Sequence, residues 1–103
     1  MEISVQKEFD SLMSRPGVLG ALILSATGAV ILSSFDSEKT IERATAVYDL
    51  ISSSDKVKDL SKTKPDVIKF IRVKTELYEL LICPSNDYIF ATFANNTKDS
   101  KNF

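Results

Sequence analysis

The chain has 103 residues, 44% apolar and 26% charged, with a formal net charge of −1, no histidine and one cysteine. That length fits one domain with room for a core of modest stability. A near-neutral balance leaves no electrostatic footprint for nucleic acid or an anionic membrane, the missing histidines leave no metal-ligand set, and the lone thiol points to a reducing compartment.

The first predicted element is a short helix in which Val5, Phe9, Leu12 and Met13 form one apolar stripe, with Ser4 as its N-cap. Pro16-Gly17 ends it in a turn. Val18 to Ser25, VLGALILS, is apolar on both faces and reads as a central strand. The apolar run there, Val18 to Leu24, falls far short of the ~20 residues a membrane span requires. Ala26-Thr27-Gly28 turns the chain into a second strand, Ala29 to Phe35, so the two make a hairpin.

Asp36 and Ser37 start a long helix that runs from about Glu38 into the 50s. Its predicted buried stripe is Ile41, Ala44, Val47, Tyr48 and Ile51, with Ala46 and Leu50 on the flank. Phase is lost at Ser52-Ser53-Ser54, which predicts a bend or a restart, and Val57 and Leu60 fall on another face. Lys56, Lys58, Lys62, Lys64 and Lys69 are interleaved with Asp55, Asp59 and Asp66, the pattern of a solvated surface. Ser61 to Asp66 reads as a polar loop.

Three strands follow: Val67 to Lys74, Leu77 to Cys83 and Tyr88 to Ala94, with Pro84 ending the second of them. The last is again apolar on both faces. The prediction is an α+β domain over residues 1–94, in the order α-β-β-α-β-β-β, with a five-stranded, mostly antiparallel sheet flanked by helices. Residues 95–103 read as a polar C-terminal tail.

Little here could do chemistry, and a non-enzyme with no cofactor is expected. Cys83 sits in a strand with no histidine to activate it, and Ser52-Ser53-Ser54 has neither base nor oxyanion arrangement nearby. Gly17-Val18-Leu19-Gly20 precedes a strand and lacks the Lys-Ser/Thr of a phosphate loop. Glu76 and Glu79 lie on a turn and a strand face with nothing to perturb them, and Phe70, Tyr78, Tyr88, Phe90 and Phe93 read as packing residues. The second strand stands out: AVILSSF carries no lysine, glutamate or proline to guard an edge, and an unguarded edge invites a second copy across a two-fold axis.

The chain resembles the roadblock-type dynein light chains over residues 5–94. The resemblance rests on the short amphipathic helix, Gly17-Val18-Leu19-Gly20 before an apolar strand, the Thr27-Gly28 turn and the long helix. Its most specific part is Phe70-Ile71-Arg72-Val73-Lys74, then Glu79, Pro84 and Asp87-Tyr88. Cys83 departs from it, standing where a small residue is usual. The resemblance implies a homodimer, or a pair with a paralogous light chain, in which the sheet continues across both subunits. Its implied interface is Ala29, Val30, Ile31, Leu32, Ser33 and Ser34 with Ala46, Tyr48, Leu50 and Ile51 of the long helix. It further implies binding to the dynein intermediate chain at the cytoskeleton, in cytoplasm or cilium. A related role implied by the same resemblance is scaffolding or regulating a small GTPase.

Overall fold

A computed structural model describes residues 2–95, with side chains from Ser4 onward. Seven elements follow one another: α1 (Glu2–Met13), β1 (Val18–Ser25), β2 (Val30–Ser33), α2 (Ser37–Lys58), β3 (Ile71–Lys74), β4 (Tyr78–Pro84) and β5 (Tyr88–Asn95). The strands form one sheet in the order β2-β1-β5-β4-β3, and every neighbouring pair is antiparallel. The predicted element order and α+β class are what the structure shows. The doubly apolar strands β1 and β5 lie inside the sheet, and the short strands β2 and β3 form its edges.

Side chains alternate across a strand, so β1 feeds two separate packing layers. Leu22 and Leu24 join Ala44 and Val47 of α2 in one cluster, which continues through Leu80, Ile82, Ile89, Ala91 and Phe93. Ala21 and Ile23 point the other way and are fully buried on the side where α1 rests against β1, as are Val5 and Leu12 of that helix. Each large aliphatic side chain so buried contributes on the order of 1.5–3 kcal/mol.

Hydroxyls close two of the hairpins in the same way. Between β3 and β4 the Thr75 hydroxyl accepts from the backbone N–H of Leu77 at 3.2 Å and of Tyr78 at 3.1 Å. Between β4 and β5 the Ser85 hydroxyl donates to the Tyr88 carbonyl at 3.0 Å. At the first hairpin Gly28 has φ 98°, a left-handed conformation open to glycine at little cost.

Four local expectations are corrected. α1 begins at Glu2, so Ser4 lies inside the helix, exposed, and does not cap it. α2 is one unbroken helix of 22 residues, so it does not end and restart at the serine run. Asp36 caps it by accepting from the Lys39 N–H at 2.8 Å, and the serine run stays helical with the Ser54 hydroxyl bonded back to the Ile51 carbonyl at 2.6 Å. Within that helix, Thr40 is buried where Ile41 was expected to be; Ile41 is 68% exposed. β3 begins only at Ile71, because continuing its register past Ile71↔Ile82 would set Lys69 opposite Pro84, which has no N–H to give. Pro84 itself is the last residue of β4, and Asn95 closes β5 by donating to the Gly17 carbonyl at 2.7 Å. The rest of the predicted tail lies outside the described residues. Among the described residues no helix is long and apolar enough to cross a membrane.

Candidate functional site: the β2 edge and the flank of the long helix

β2 is the terminal strand of the sheet, and no strand among the described residues pairs with its outer side. It spans Val30–Ser33, shorter than the predicted Ala29 to Phe35. Side-chain chemistry explains both ends. The Ser25 hydroxyl accepts from the Ala29 N–H at 3.1 Å, holding Ala29 in the turn. At the other end the Ser34 N–H donates to the Ala21 carbonyl at 3.1 Å, but the Ala21 N–H donates back to the Ser34 hydroxyl at 2.9 Å in place of its carbonyl. Ser33 is tied inward as well: its hydroxyl lies 2.6 Å from the Thr40 hydroxyl and accepts from the Phe35 N–H at 3.0 Å. The two serines of the expected interface therefore spend their hydroxyls within the subunit, joining β2 to the start of α2.

The apolar residues are the free part of the edge. Val30 is 45% and Ile31 41% exposed, whereas Leu32 is half-buried. Leu24 pairs with Val30 and Ile23 with Leu32, so Ile31 is an extra residue in a β-bulge. A bulge is one of the devices that interrupt edge pairing, which qualifies the sequence expectation of an edge without any guard. A partner on this edge meets a four-residue ladder with a kink in it, and it must draw on neighbouring surface too.

That surface is one flank of α2. The Tyr48 ring packs under the β1–β2 turn, where a Cβ added at Gly28 would come within 3.0 Å of it. Ile41, seven residues earlier, lies on the same stripe, since seven residues bring a helix round by two turns. Exposed Ile41 and half-buried Tyr48 thus extend the apolar β2 edge down the helix.

Ala46 is exposed but lies about 160° around the helix from Tyr48, at ~100° per residue. Tyr48, Leu50 and Ile51 all pack against the main core cluster, and Ile51 lies about 60° around the helix from Tyr48. The structure therefore sets Val30, opposite Leu24, on the α2 face of the sheet with Tyr48, places Leu32, opposite Ile23, on the α1 face, and leaves Ala46 on the far side of the helix. Ile41 is the residue the sequence pattern misplaced. Its apolar character suggested burial, and no periodicity separates an apolar residue facing a partner from one facing its own sheet.

Phe35 locks this corner. Its ring meets Phe93 edge-on, with centroids 5.6 Å apart and planes at 83°, and the Arg43 guanidinium lies 4.8 Å from the ring centroid. Gly20 makes room for it: a Cβ there would overlap the Phe35 ring. Cys83 is half-buried with Leu12, Leu81, Phe90 and Thr92 around a small cavity of about 120 Å³ on the α1 side. No group of three His, Cys, Asp or Glu among the described residues could hold a metal ion.

These features define a small α+β domain whose distinctive surface is an apolar sheet edge, not a polar cleft. The chain belongs to the Roadblock/LC7 domain family, whose family model matches residues 5–94. Its fold is similar to that of a solved Roadblock/LC7 domain from Streptomyces avermitilis, with a TM-score of 0.73 at 20% sequence identity, over 84% of this chain and 74% of that one. Membership supports a small scaffold or regulator domain.

Proposed function

We propose that the chain is a non-catalytic accessory light chain of dynein, working as a dimer that holds a segment of the dynein intermediate chain. The observation that carries this reading is the edge of β2, where Val30 and Ile31 are exposed and no strand among the described residues pairs with the outer side. Two copies related by a two-fold axis would set β2 against β2, extend the sheet across both subunits and cover the Ile41–Tyr48 flank of α2. An interface of ordinary size buries on the order of 1,600 Å². The shared surface is then wider than one small domain could offer to a partner.

The test is direct binding. Purified chain is titrated with the purified dynein intermediate chain in a calorimeter. The proposal expects saturable binding at a ratio of one intermediate-chain segment to one light-chain dimer. No heat and no co-migration would remove the dynein assignment. A scaffold for a small GTPase is the second reading, favoured by the presence of this fold in a protein of the bacterium Streptomyces avermitilis. The same titration with a nucleotide-loaded small GTPase separates the two.

A further inference from the structure

The lysines after residue 55 form more than a solvated surface. Among them stand four large apolar side chains that the structure leaves open: Val57 at 64%, Leu60 at 72%, Val67 at 65% and Phe70 at 59% exposure. Scattered singly, such residues would need no explanation, but all four lie in the one segment that leads from the end of α2 to β3. A groove of about 340 Å³ opens beside them, between the last turns of α2, residues 67–69 and the β4–β5 turn. Ile51, Ile68 and Pro84 line it together with Lys58 and Lys69. Lys58 is held 3.3 Å from Asp55, so one carboxylate of the chain already faces this wall.

Charge separates this end from the rest. Residues 56–74 hold seven basic and two acidic side chains, a net of +5, so the remainder of the chain carries −6 to reach the total of −1. A near-neutral total therefore hides a strongly basic region.

We propose that this region is a docking site for an acidic amphipathic segment of a partner protein, with an apolar side chain seated in the groove and flanking carboxylates against Lys62, Lys64 and Lys69. The inference rests on the scaffold reading but not on the dimer or on dynein. Charge complementarity selects an acidic partner, and the exposed apolar residues select one that also buries hydrophobic surface. A concave groove receives a side chain, whereas a flat bilayer cannot enter it. A second copy docking its acidic surface here would make a head-to-tail contact that builds rings or filaments. The site also survives dimerisation: β3 lies at the opposite edge of the sheet from β2, so each subunit of a dimer would present its own copy.

The test pans a library of short random peptides against the immobilised full chain, then measures the best peptide by fluorescence anisotropy. The expected winners are rich in Asp and Glu with interspersed Leu or Phe, and their affinity falls as salt rises. The triple variant Lys62→Glu/Lys64→Glu/Lys69→Glu and the variant Phe70→Ser each bind about tenfold more weakly or worse, with unchanged circular dichroism. Lys7→Glu, a charge reversal on exposed α1 surface, binds as the parent does. Winners without acidic bias, or equal binding by the charge-reversed chain, would overturn the proposal. So would tighter binding to phosphatidylcholine vesicles containing phosphatidylserine, or rings or filaments of the chain alone that the triple variant abolishes. Sedimentation of the same variants keeps the two readings apart, because loss of peptide binding with an intact dimer speaks only against this site.

Discussion

Gly20→Ala puts one methyl group where the Phe35 ring already sits. In an ordinary strand this change would favour folding by roughly 0.4–1 kcal/mol, because it reduces the freedom of the unfolded chain. Here the ring must move. It would give up its edge contact with Phe93, worth about 0.5–1.5 kcal/mol, and its place beneath the Arg43 guanidinium, worth about 0.5–1 kcal/mol. Forcing an extra carbon into packed surroundings adds about 1–3 kcal/mol. The net expectation is a loss of about 1–5 kcal/mol, read by urea unfolding at one fixed protein concentration. For a domain of this size each kcal/mol lowers Tm by roughly 4–8 °C. The double variant Gly20→Ala/Phe35→Ala makes the cause specific: with the ring gone, the added methyl should be neutral or stabilising. A Gly20→Ala chain as stable as the parent, or a loss that persists in the Phe35→Ala background, would refute the packing argument.

Other expectations follow from the same corner and from the helix start. Thr40→Val removes the hydroxyl that lies 2.6 Å from Ser33 and 3.2 Å from the Phe35 carbonyl, and it should cost about 1–3 kcal/mol in urea unfolding. Asp36→Ala deprives the Lys39 N–H of its acceptor and should cost about 1 kcal/mol, with a small loss of helical circular dichroism. Leu32→Asp sets a carboxylate on the half-buried side of β2, so it should yield monomer or aggregate in sedimentation, and an unchanged dimer would count against the β2 interface. As a scaffold, the purified chain should hydrolyse nucleotide no faster than buffer, and turnover abolished by one polar substitution would contradict that role.

The sheet was legible because its strands announce themselves by burial. Val18 to Ser25 and the strand after Tyr88 are apolar on both faces, which only an interior position satisfies, and both are interior. Edges were harder. The ends of β2 depend on which backbone groups of other residues the Ser25 and Ser34 hydroxyls bond, and the start of β3 depends on a proline in its neighbour. The helix shows the same limit. Ile41 matched the core period but faces outward, while Thr40 is buried because Ser33 and the Phe35 carbonyl stand ready to bond it. For the candidate interface, the apolar run at β2 was visible, but the helix residues joined to it were mixed. Ala46 and Tyr48 differ by two positions, which on a helix means nearly opposite sides. The basic region was hidden twice over, once by the neutral total charge and once by aspartates that made it resemble ordinary solvated surface.

The central claim is that the β2 edge joins two copies, and Ile31→Lys tests it most directly. Ile31 is exposed and is the extra residue of the bulge, so a lysine there leaves the subunit's own ladder and core intact. Sedimentation equilibrium should show the parent chain as a dimer and the Ile31→Lys chain as a folded monomer, with the circular dichroism of the two the same. A variant that stays dimeric, or a parent chain that is monomeric at every concentration, would contradict the account.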